Sequence, residues 1–204
     1  MAVADGTTVL ACTPHIYPGL YMNDSAGIRA EREKMARALA DNGIALQLVV
    51  GADAHLVPEL LAGLQSRRVP TLDGSRYFLL EPPHHVKPPH FMESVLRIMA
   101  EGYVPLITHP ERLSWIDRDY GTFVELVHRG AWIQMTAGAI VGRFGRTARY
   151  WSERLLSEGL VHLIASDAHD THARSTIMSD ALPTVEAALG SEEAQRLVLT
   201  RPQA

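Results

Sequence analysis

The chain has 204 residues, of which 47% are hydrophobic and 21% charged, so its size and composition are those of one globular domain with a full core. The formal net charge of −4 argues against a nucleic-acid binder, because such proteins usually carry a basic excess. No apolar run approaches the roughly 20 residues that span a bilayer, no secretory signal is recognisable, and the lone cysteine fits a reducing compartment. These features predict a single domain over residues 1–204 that lies in the cytoplasm and is not inserted in a membrane.

Strand-like and helix-like segments alternate along the chain, which predicts an α/β fold with a parallel sheet. The predicted strands are Thr7–Cys12, Leu46–Val50, Tyr77–Leu80, Val104–Thr108, Ala131–Thr136 and Val161–Ser166. The predicted helices are Ser25–Asn42, His55–Arg67, His90–Glu101, Tyr120–Arg129, Arg146–Glu158 and Leu182–Leu189. Asp24 precedes the first of these helices and is its predicted N-cap.

Several predicted helices end at a glycine, the residue that most readily adopts the left-handed backbone found just beyond a helix end. These glycines are Gly43, Gly102, Gly130 and Gly159. The segment Ala4-Asp5-Gly6 shows the same pattern directly before the first strand, so Met1–Asp5 is interpreted as the last turn of a helix. On this interpretation we expect a β-α unit to be missing upstream of the sequence.

Histidine and carboxylate side chains follow the ends of most predicted strands. Because barrel-type α/β folds gather the C-terminal ends of their strands at one rim, these side chains are expected to form one site. Imidazole together with carboxylate suits zinc, manganese or iron, and two such cations can activate a water and hold a phosphoryl oxygen. The predicted ligands are His15, Asp53, Glu81, His109, Asp167 and His169.

Arginines lie close behind two of these predicted ligands. Arg112 comes three residues after one histidine ligand and Arg174 five residues after another, and guanidinium groups match phosphate geometry with paired hydrogen bonds. Both are therefore predicted to bind phosphate. Arg146 and Arg149 lie on a predicted helix and are interpreted as surface charges, whereas the segment 138–145 is predicted to be a flexible loop lining the substrate cleft.

Other candidate residues have simpler interpretations. Cys12 lies within a strand-like run and is interpreted as a small buried residue. A cysteine-nucleophile phosphatase would need an arginine six positions later, where this chain has Pro18, so that mechanism is excluded. His162 lies within a strand and is predicted to be structural, whereas His55 stays ambiguous at the start of a predicted helix.

Taken together, these motifs resemble the PHP (polymerase and histidinol phosphatase) superfamily, and most closely its capsule-locus, CpsB-type protein-tyrosine phosphatases. The matching segments are Thr13-Pro14-His15, His109-Pro110-Glu111-Arg112, Gln134-Met135-Thr136-Ala137-Gly138 and Ser166-Asp167-Ala168-His169. The resemblance covers roughly Met1 to Ser179 and implies a distorted (β/α)₇ barrel lacking its first βα unit. It also implies about two or three divalent ions, with manganese favoured over zinc, iron or magnesium.

The resemblance implies a metal-dependent hydrolysis of phosphotyrosine on a protein, within the regulation of capsular or exopolysaccharide synthesis. It assigns the six predicted ligands to metal, and it assigns Arg112 and Arg174 to phosphate. His169 or a neighbouring acid is expected to protonate the leaving oxygen. The implied partner is a bacterial tyrosine autokinase.

Two features depart from the family pattern. An Asp-x-His-x-His strand followed by a Pro-Gly-x-Asp-Asp-Gly loop is expected in the family and does not occur in this sequence, and Asp53 stands where the family usually has glutamate. Two alternatives therefore stay open, namely a phosphoesterase acting on a small molecule such as histidinol phosphate, and a catalytically impaired PHP-like module. A barrel without one strand has an open sheet edge, which predicts a homo-oligomer.

Overall fold

The computed structural model describes residues 1–203, which divide into two compact bodies. The N-terminal body consists of Ala2–Pro83 and Pro88–Leu106. The C-terminal body contains Met1, His84–Lys87 and the chain from Ile107 onward. No helix among the described residues has the length and apolar character that crossing a bilayer requires. The single-domain assignment stays a prediction.

The strands of the N-terminal body form a parallel pair and a mixed sheet. In chain order they are β1 (Val9–Cys12), β2 (His15–Tyr17), β3 (Tyr21–Met22), β4 (Gln47–Val50), β5 (Asp53–His55), β6 (Tyr77–Glu81) and the beginning of β7 (Val104–Thr108). β1 pairs with β4 in parallel, β5 lies in parallel between β2 and β6, and β3 is antiparallel to β2. The α/β class is thus confirmed, but the sheet is not purely parallel, because a tight turn after Tyr17 returns the chain as an antiparallel edge strand.

The helices of this body are α1 (Ser25–Asp41), α2 (Leu60–Gln65) and α3 (Phe91–Ala100). α1 begins where predicted, because the Asp24 carboxylate accepts a hydrogen bond of 2.8 Å from the Gly27 N–H group. The prediction of a helix over His55–Arg67 is wrong at its start. His55 belongs to β5, and the following N–H group of Leu56 donates to the Glu81 carbonyl, which keeps the backbone extended beside β6.

The C-terminal body contains α4 (Ile116–His128), β8 (Trp132–Thr136), α5 (Ala137–Ile140), α6 (Gly145–Ser157), β9 (Leu163–Ala165), α7 (Leu182–Leu189) and α8 (Ser191–Gln195). β8 and β9 pair in parallel. Its core is formed by large side chains without solvent exposure, among them Phe123, Leu126, Ile133, Met135 and Leu155. The prediction of a flexible loop over 138–145 is wrong in its first part, because α5 is short, buried and continuous with the end of β8.

The glycines predicted to follow helix ends all have left-handed backbone. Their φ values are 65° at Gly43, 88° at Gly102, 102° at Gly130 and 68° at Gly159. Gly6 shares this geometry with φ 93°, and its N–H group donates to the Val3 carbonyl at the end of a 3₁₀ turn over Val3–Asp5. The glycine pattern of the sequence therefore predicts these left-handed helix ends correctly.

Candidate functional site

Four polar side chains lie on one face of the mixed sheet in the N-terminal body. Paired residues of parallel strands point to the same side of a sheet, and so do residues two apart on one strand. The register pairs His15 with Asp53 and His55 with Glu81. Because Asp53 and His55 are two residues apart on β5, all four side chains emerge on the same face.

These side chains converge on the Glu81 carboxylate. His15 Nδ1 lies 2.9 Å from Glu81 Oε2, and His55 Nε2 contacts the same oxygen. The Asp53 carboxylate lies 3.7 Å from His15 Nδ1. Asp53 and Glu81 are buried, whereas the two histidine rings keep some access to solvent. Three predicted ligands, His15, Asp53 and Glu81, are thus brought together within this body.

The donor set has the chemistry of a divalent-cation site. Ligand atoms of His15, His55 and Glu81 lie within 4.8 Å of one another. Neutral imidazole with a carboxylate suits zinc, manganese or iron, which fits the metals expected from the sequence. Burial of an ionised carboxylate is costly without a compensating charge, and a bound cation would supply one.

In the C-terminal body, two guanidinium groups meet at one carboxylate. Arg112 Nη1 donates to Asp167 Oδ2 at 2.5 Å, and Arg174 Nη2 donates to the same oxygen. His169 lies beside them, with Nδ1 3.0 Å from the Asp167 carbonyl oxygen. The structure therefore brings four predicted residues of this body together.

The loop after β9 holds Arg174 in this position. The N–H groups of His169 and Asp170 donate to the Arg174 carbonyl at 2.8 and 3.1 Å, and the Arg174 N–H group donates back to the Asp170 carboxylate at 3.1 Å. The N–H groups of His172 and Arg174 also keep the pKa of Asp170 below its usual value. These hydrogen bonds close the loop and define the turn that presents the Arg174 guanidinium group.

His109 and Asp167 have strained backbone. Each directly follows a strand-like run, and their φ values of 36° and 50° lie in the left-handed region, which non-glycine residues rarely adopt. His109 is buried, its N–H group donates to the Gln134 carbonyl at 2.8 Å, and its ring centroid lies 4.9 Å from that of His84. Backbone strain of this kind is often found at functional sites, so it supports His109 and Asp167 as candidates.

The comparisons with known proteins identify the family. The family model for capsular polysaccharide synthesis, CpsB/CapC, matches residues 1–204. The chain belongs to the CpsB/CapC family. The resemblance to CpsB-type proteins drawn from the sequence motifs is thereby confirmed at the level of this family.

Relatives of this CpsB/CapC chain are tyrosine phosphatases. The chain is 31% identical to the tyrosine-protein phosphatase YwqE of Bacillus subtilis over 94% of its own length and 75% of that protein. It is 25% identical to the tyrosine-protein phosphatase CpsB of Streptococcus pneumoniae over 97% of its own length and 84% of that protein. A crystal structure from work on YwqE and CpsB, described as metal-dependent tyrosine phosphatases, matches with a TM-score of 0.91 at 31% identity and covers 96% of this chain and 79% of the other.

Three residues of this CpsB/CapC chain, namely His55, Glu111 and Phe144, were not predicted from the sequence. His55 was obscured because a three-residue strand has too few positions to show an alternating pattern. Glu111 is buried and its Oε1 accepts from the Thr136 N–H group at 3.0 Å. Burial raises the pKa of Glu111 to about 7, against the opposing effect of that N–H donor. The position of Glu111 between Pro110 and Arg112 was the available indication in the sequence. Its hydrogen bond from the Thr136 N–H group links the 3₁₀ turn that carries Arg112 to the end of β8.

Phe144 supports the arginine pair. The Arg112 guanidinium carbon lies 4.4 Å from the centroid of the Phe144 ring, and the corresponding distance for Arg174 is 5.9 Å. The ring also fills the space beside Gly138, where an added Cβ would stand 2.9 Å from Phe144 Cε2. A cleft lined by Arg112, Phe144 and Thr147 opens on one side of this ring. No sequence pattern marked this phenylalanine.

Proposed function

We propose that this chain is a metal-dependent phosphatase that hydrolyses phosphotyrosine on proteins. The observation that supports it best is the meeting of the Arg112 and Arg174 guanidinium groups at a single carboxylate oxygen. Two guanidinium groups arranged in this way offer the charge and the hydrogen bonds that a phosphate oxygen needs. The family match and the tyrosine-phosphatase relatives point to the same substrate class.

The proposed metal ligands are His15, Asp53, Glu81, His109, Asp167 and His169. Their imidazole and carboxylate groups fit manganese, the favoured ion, as well as zinc, iron or magnesium. When bound, divalent cations polarise phosphoryl oxygens and lower the pKa of water. The Glu81 carboxylate, with imidazole nitrogens around one of its oxygens, is already placed to hold such a charge.

The remaining roles belong to Arg112, Arg174 and His169. The two arginines are proposed to hold the non-bridging oxygens of the phosphate as negative charge accumulates on them. His169 is proposed to ligate a cation or to protonate the leaving oxygen. The contact between its Nδ1 and the Asp167 carbonyl oxygen restrains the orientation of the ring. A phenol leaves readily, so phosphotyrosine needs little acid assistance.

The wider setting is also part of the proposal. The distorted (β/α)₇ barrel implied by the PHP resemblance is the proposed architecture of the catalytic fold. A tyrosine autokinase of the capsule locus is the proposed protein substrate, in line with the capsular polysaccharide description of the family. A cytoplasmic location is proposed because the chain has a single cysteine. Self-association stays a prediction, which light scattering on the purified chain would test.

The experiment is a substrate panel with the chelator-treated chain, supplemented with Mn²⁺. We expect faster turnover of a phosphotyrosine peptide than of phosphoserine peptide or histidinol phosphate, and loss of all turnover after chelation. Faster turnover of histidinol phosphate would replace the protein substrate with a small molecule. Fewer than about two bound ions per chain, with no hydrolysis of p-nitrophenyl phosphate, would identify an impaired module instead.

A further inference from the structure

We propose that His55 is a direct ligand of the cation site and binds the metal together with His15 and Glu81. This inference rests on the proposed metal-dependent function and adds a ligand to it. His55 does not belong to the motifs by which the chain resembles its family. It was ambiguous in the sequence because the segment after Asp53 was predicted to begin a helix, whereas the backbone there is β5.

The strand register places His55 opposite Glu81. The two residues are direct partners in the parallel ladder of β5 and β6, and the Leu56 N–H group continues this ladder by donating to the Glu81 carbonyl at 3.1 Å. Partners in a ladder have Cβ atoms about 5 Å apart, a separation that an imidazole and a carboxylate can bridge through one shared ion. The backbone, and not a flexible loop, therefore determines the approach of these two side chains.

His55 and His15 reach the same carboxylate oxygen from two strands. His15 Nδ1 is 2.9 Å from Glu81 Oε2, and His55 Nε2 contacts that oxygen as well. The centroids of the two imidazole rings are 5.5 Å apart, with an angle of 58° between their planes. Ligand atoms of the three residues lie within 4.8 Å of one another, close enough for a single cation to contact all three.

Aromatic rings hold both imidazoles in place. Tyr17 stacks on His55 with ring centroids 4.3 Å apart and planes inclined by 11°. Tyr21 stacks on His15 at 5.2 Å across the β2–β3 turn. Ligands whose rotamers are fixed before the cation arrives lose less entropy on binding, which is how preorganised metal sites achieve affinity.

Asp53 has a different place in this arrangement. Its carboxylate lies 3.7 Å from His15 Nδ1, at a distance from which it can orient the imidazole. Carboxylates that orient a ligating histidine contribute about 10- to 100-fold to metal affinity, less than a ligand itself contributes. Asp53 can thus support the His15 imidazole, while His55 contacts the Glu81 carboxylate itself.

The test is a titration of the chelator-treated full chain with Zn²⁺ against a chromophoric chelator. We expect His55→Ala to lower Zn²⁺ affinity more than about 100-fold, because loss of an outer partner that only orients a ligand costs about 10- to 100-fold. The matched control is His128→Ala, which removes an exposed imidazole from the end of α4 and should leave Zn²⁺ affinity unchanged. His55→Phe keeps a ring against Tyr17 and separates loss of the ligand from loss of packing.

A measurement on the unaltered chain makes the test independent of the variants. Histidine ¹⁵N spectra recorded with and without Zn²⁺ should show the His55 Nε2 resonance shift on saturation. Weaker Zn²⁺ binding in both His55 variants, or this shift, supports the assignment even when the chain does not hydrolyse phosphotyrosine. Affinities equal to wild type, or an unchanged His55 resonance at saturation, overturn it even when the chain is an active phosphatase.

Discussion

Asp167 shows how much of the chemistry of this chain is decided by single side chains. Its Oδ2 atom accepts from Arg112 and Arg174 at once, so one carboxylate compensates much of the positive charge of two guanidinium groups. An anion that competes for the arginines must offer at least the same hydrogen bonds. A phosphate group offers these hydrogen bonds with three oxygens. Replacement of either arginine should therefore weaken substrate binding more than it lowers the stability of the fold.

We expect Arg112→Lys to lower kcat/KM for p-nitrophenyl phosphate by about 10- to 100-fold, because lysine keeps the charge but loses the planar fork. Steady-state kinetics with saturating Mn²⁺ measures this. The control is Arg149→Lys on α6, where an exposed pair with Glu153 is altered in the same way and activity should change less than about 2-fold. Equal losses in the two variants would contradict a specific role for Arg112.

His162 illustrates a residue whose role is structural, as predicted from its place in the sequence. Its ring stacks on Trp132, and Nδ1 accepts from the Ile133 N–H group at 3.2 Å. Burial lowers the pKa of His162 from 6.5 to about 4, and the charge of Arg201 adds to this effect. The neutral ring is therefore the form that belongs to the folded state.

The lowered pKa of His162 predicts acid sensitivity. Between pH 6.5 and about 4 the unfolded chain takes up a proton at this ring and the folded chain does not, so stability is complete above pH 6.5 and falls as the pH approaches 4. We expect the free energy of unfolding of wild type to fall by roughly 1–3 kcal/mol more than that of His162→Gln over this range, after allowance for partial exposure of the ring. Urea titrations in the presence of chelator measure this difference in the free energy of unfolding. Curves of unfolding free energy against pH that run parallel for the two proteins would contradict the prediction.

At the scale of elements, the site depends on short segments that follow strands. The glycine pattern and the long helices were predictable because their chemistry is local, as the Asp24 cap and the left-handed Gly130 show. β2 and β5 escaped prediction because a strand of three residues is specified by its partners and not by its own sequence. His15 and Glu81 could be named as candidate ligands from strand ends alone, whereas Phe144 became apparent only through its contact with Arg112.

The packing of α5 against Phe144 gives a prediction at this scale. Gly138→Ala places a Cβ 2.9 Å from Phe144 Cε2, so the ring must move and Arg112 with it. We expect a loss of up to about 100-fold in kcat/KM and of about 1–3 kcal/mol in the free energy of unfolding. Kinetics and urea unfolding on the same preparations measure both quantities.

The matched control is Gly121→Ala on α4, where an added Cβ meets nothing within 4 Å. That change should raise the free energy of unfolding by up to about 1 kcal/mol and leave activity unchanged. Adding Phe144→Leu to Gly138→Ala should restore stability but not activity, because the smaller side chain relieves the clash and no longer supports Arg112. Full recovery of activity in this double variant would show that Phe144 has no positioning role.

At the scale of the whole molecule, the family match extends over the complete chain, while the structure shows two bodies that each contain part of the predicted ligand set. Sequence motifs predicted the family because they are short and contiguous. The contacts of Asp53 with His15 and of His55 with Glu81 join residues of different strands, and no spacing in the sequence encodes them.

Metal binding is expected to raise the thermal stability of the whole chain. A cation that binds only the folded chain stabilises it by about 2.7 kcal/mol at a hundred times its Kd. For a chain of this size we expect Tm to rise by about 5–10 °C when Mn²⁺ or Zn²⁺ is added to the chelator-treated protein, and to return when chelator is added again. Differential scanning calorimetry measures the shift. A Tm that is independent of the ion would contradict a metal site that is coupled to folding.

The left-handed backbone at Asp167 has a consequence for the engineering of this protein. The φ of 50° is a conformation that asparagine and glycine tolerate at least as well as aspartate, so backbone strain alone would permit Asp167→Asn. That change also removes the negative charge that the two arginines face, and two guanidinium groups left without a counter-charge should lower the free energy of unfolding. Selection for heat resistance alone is therefore expected to retain the aspartate in spite of its backbone.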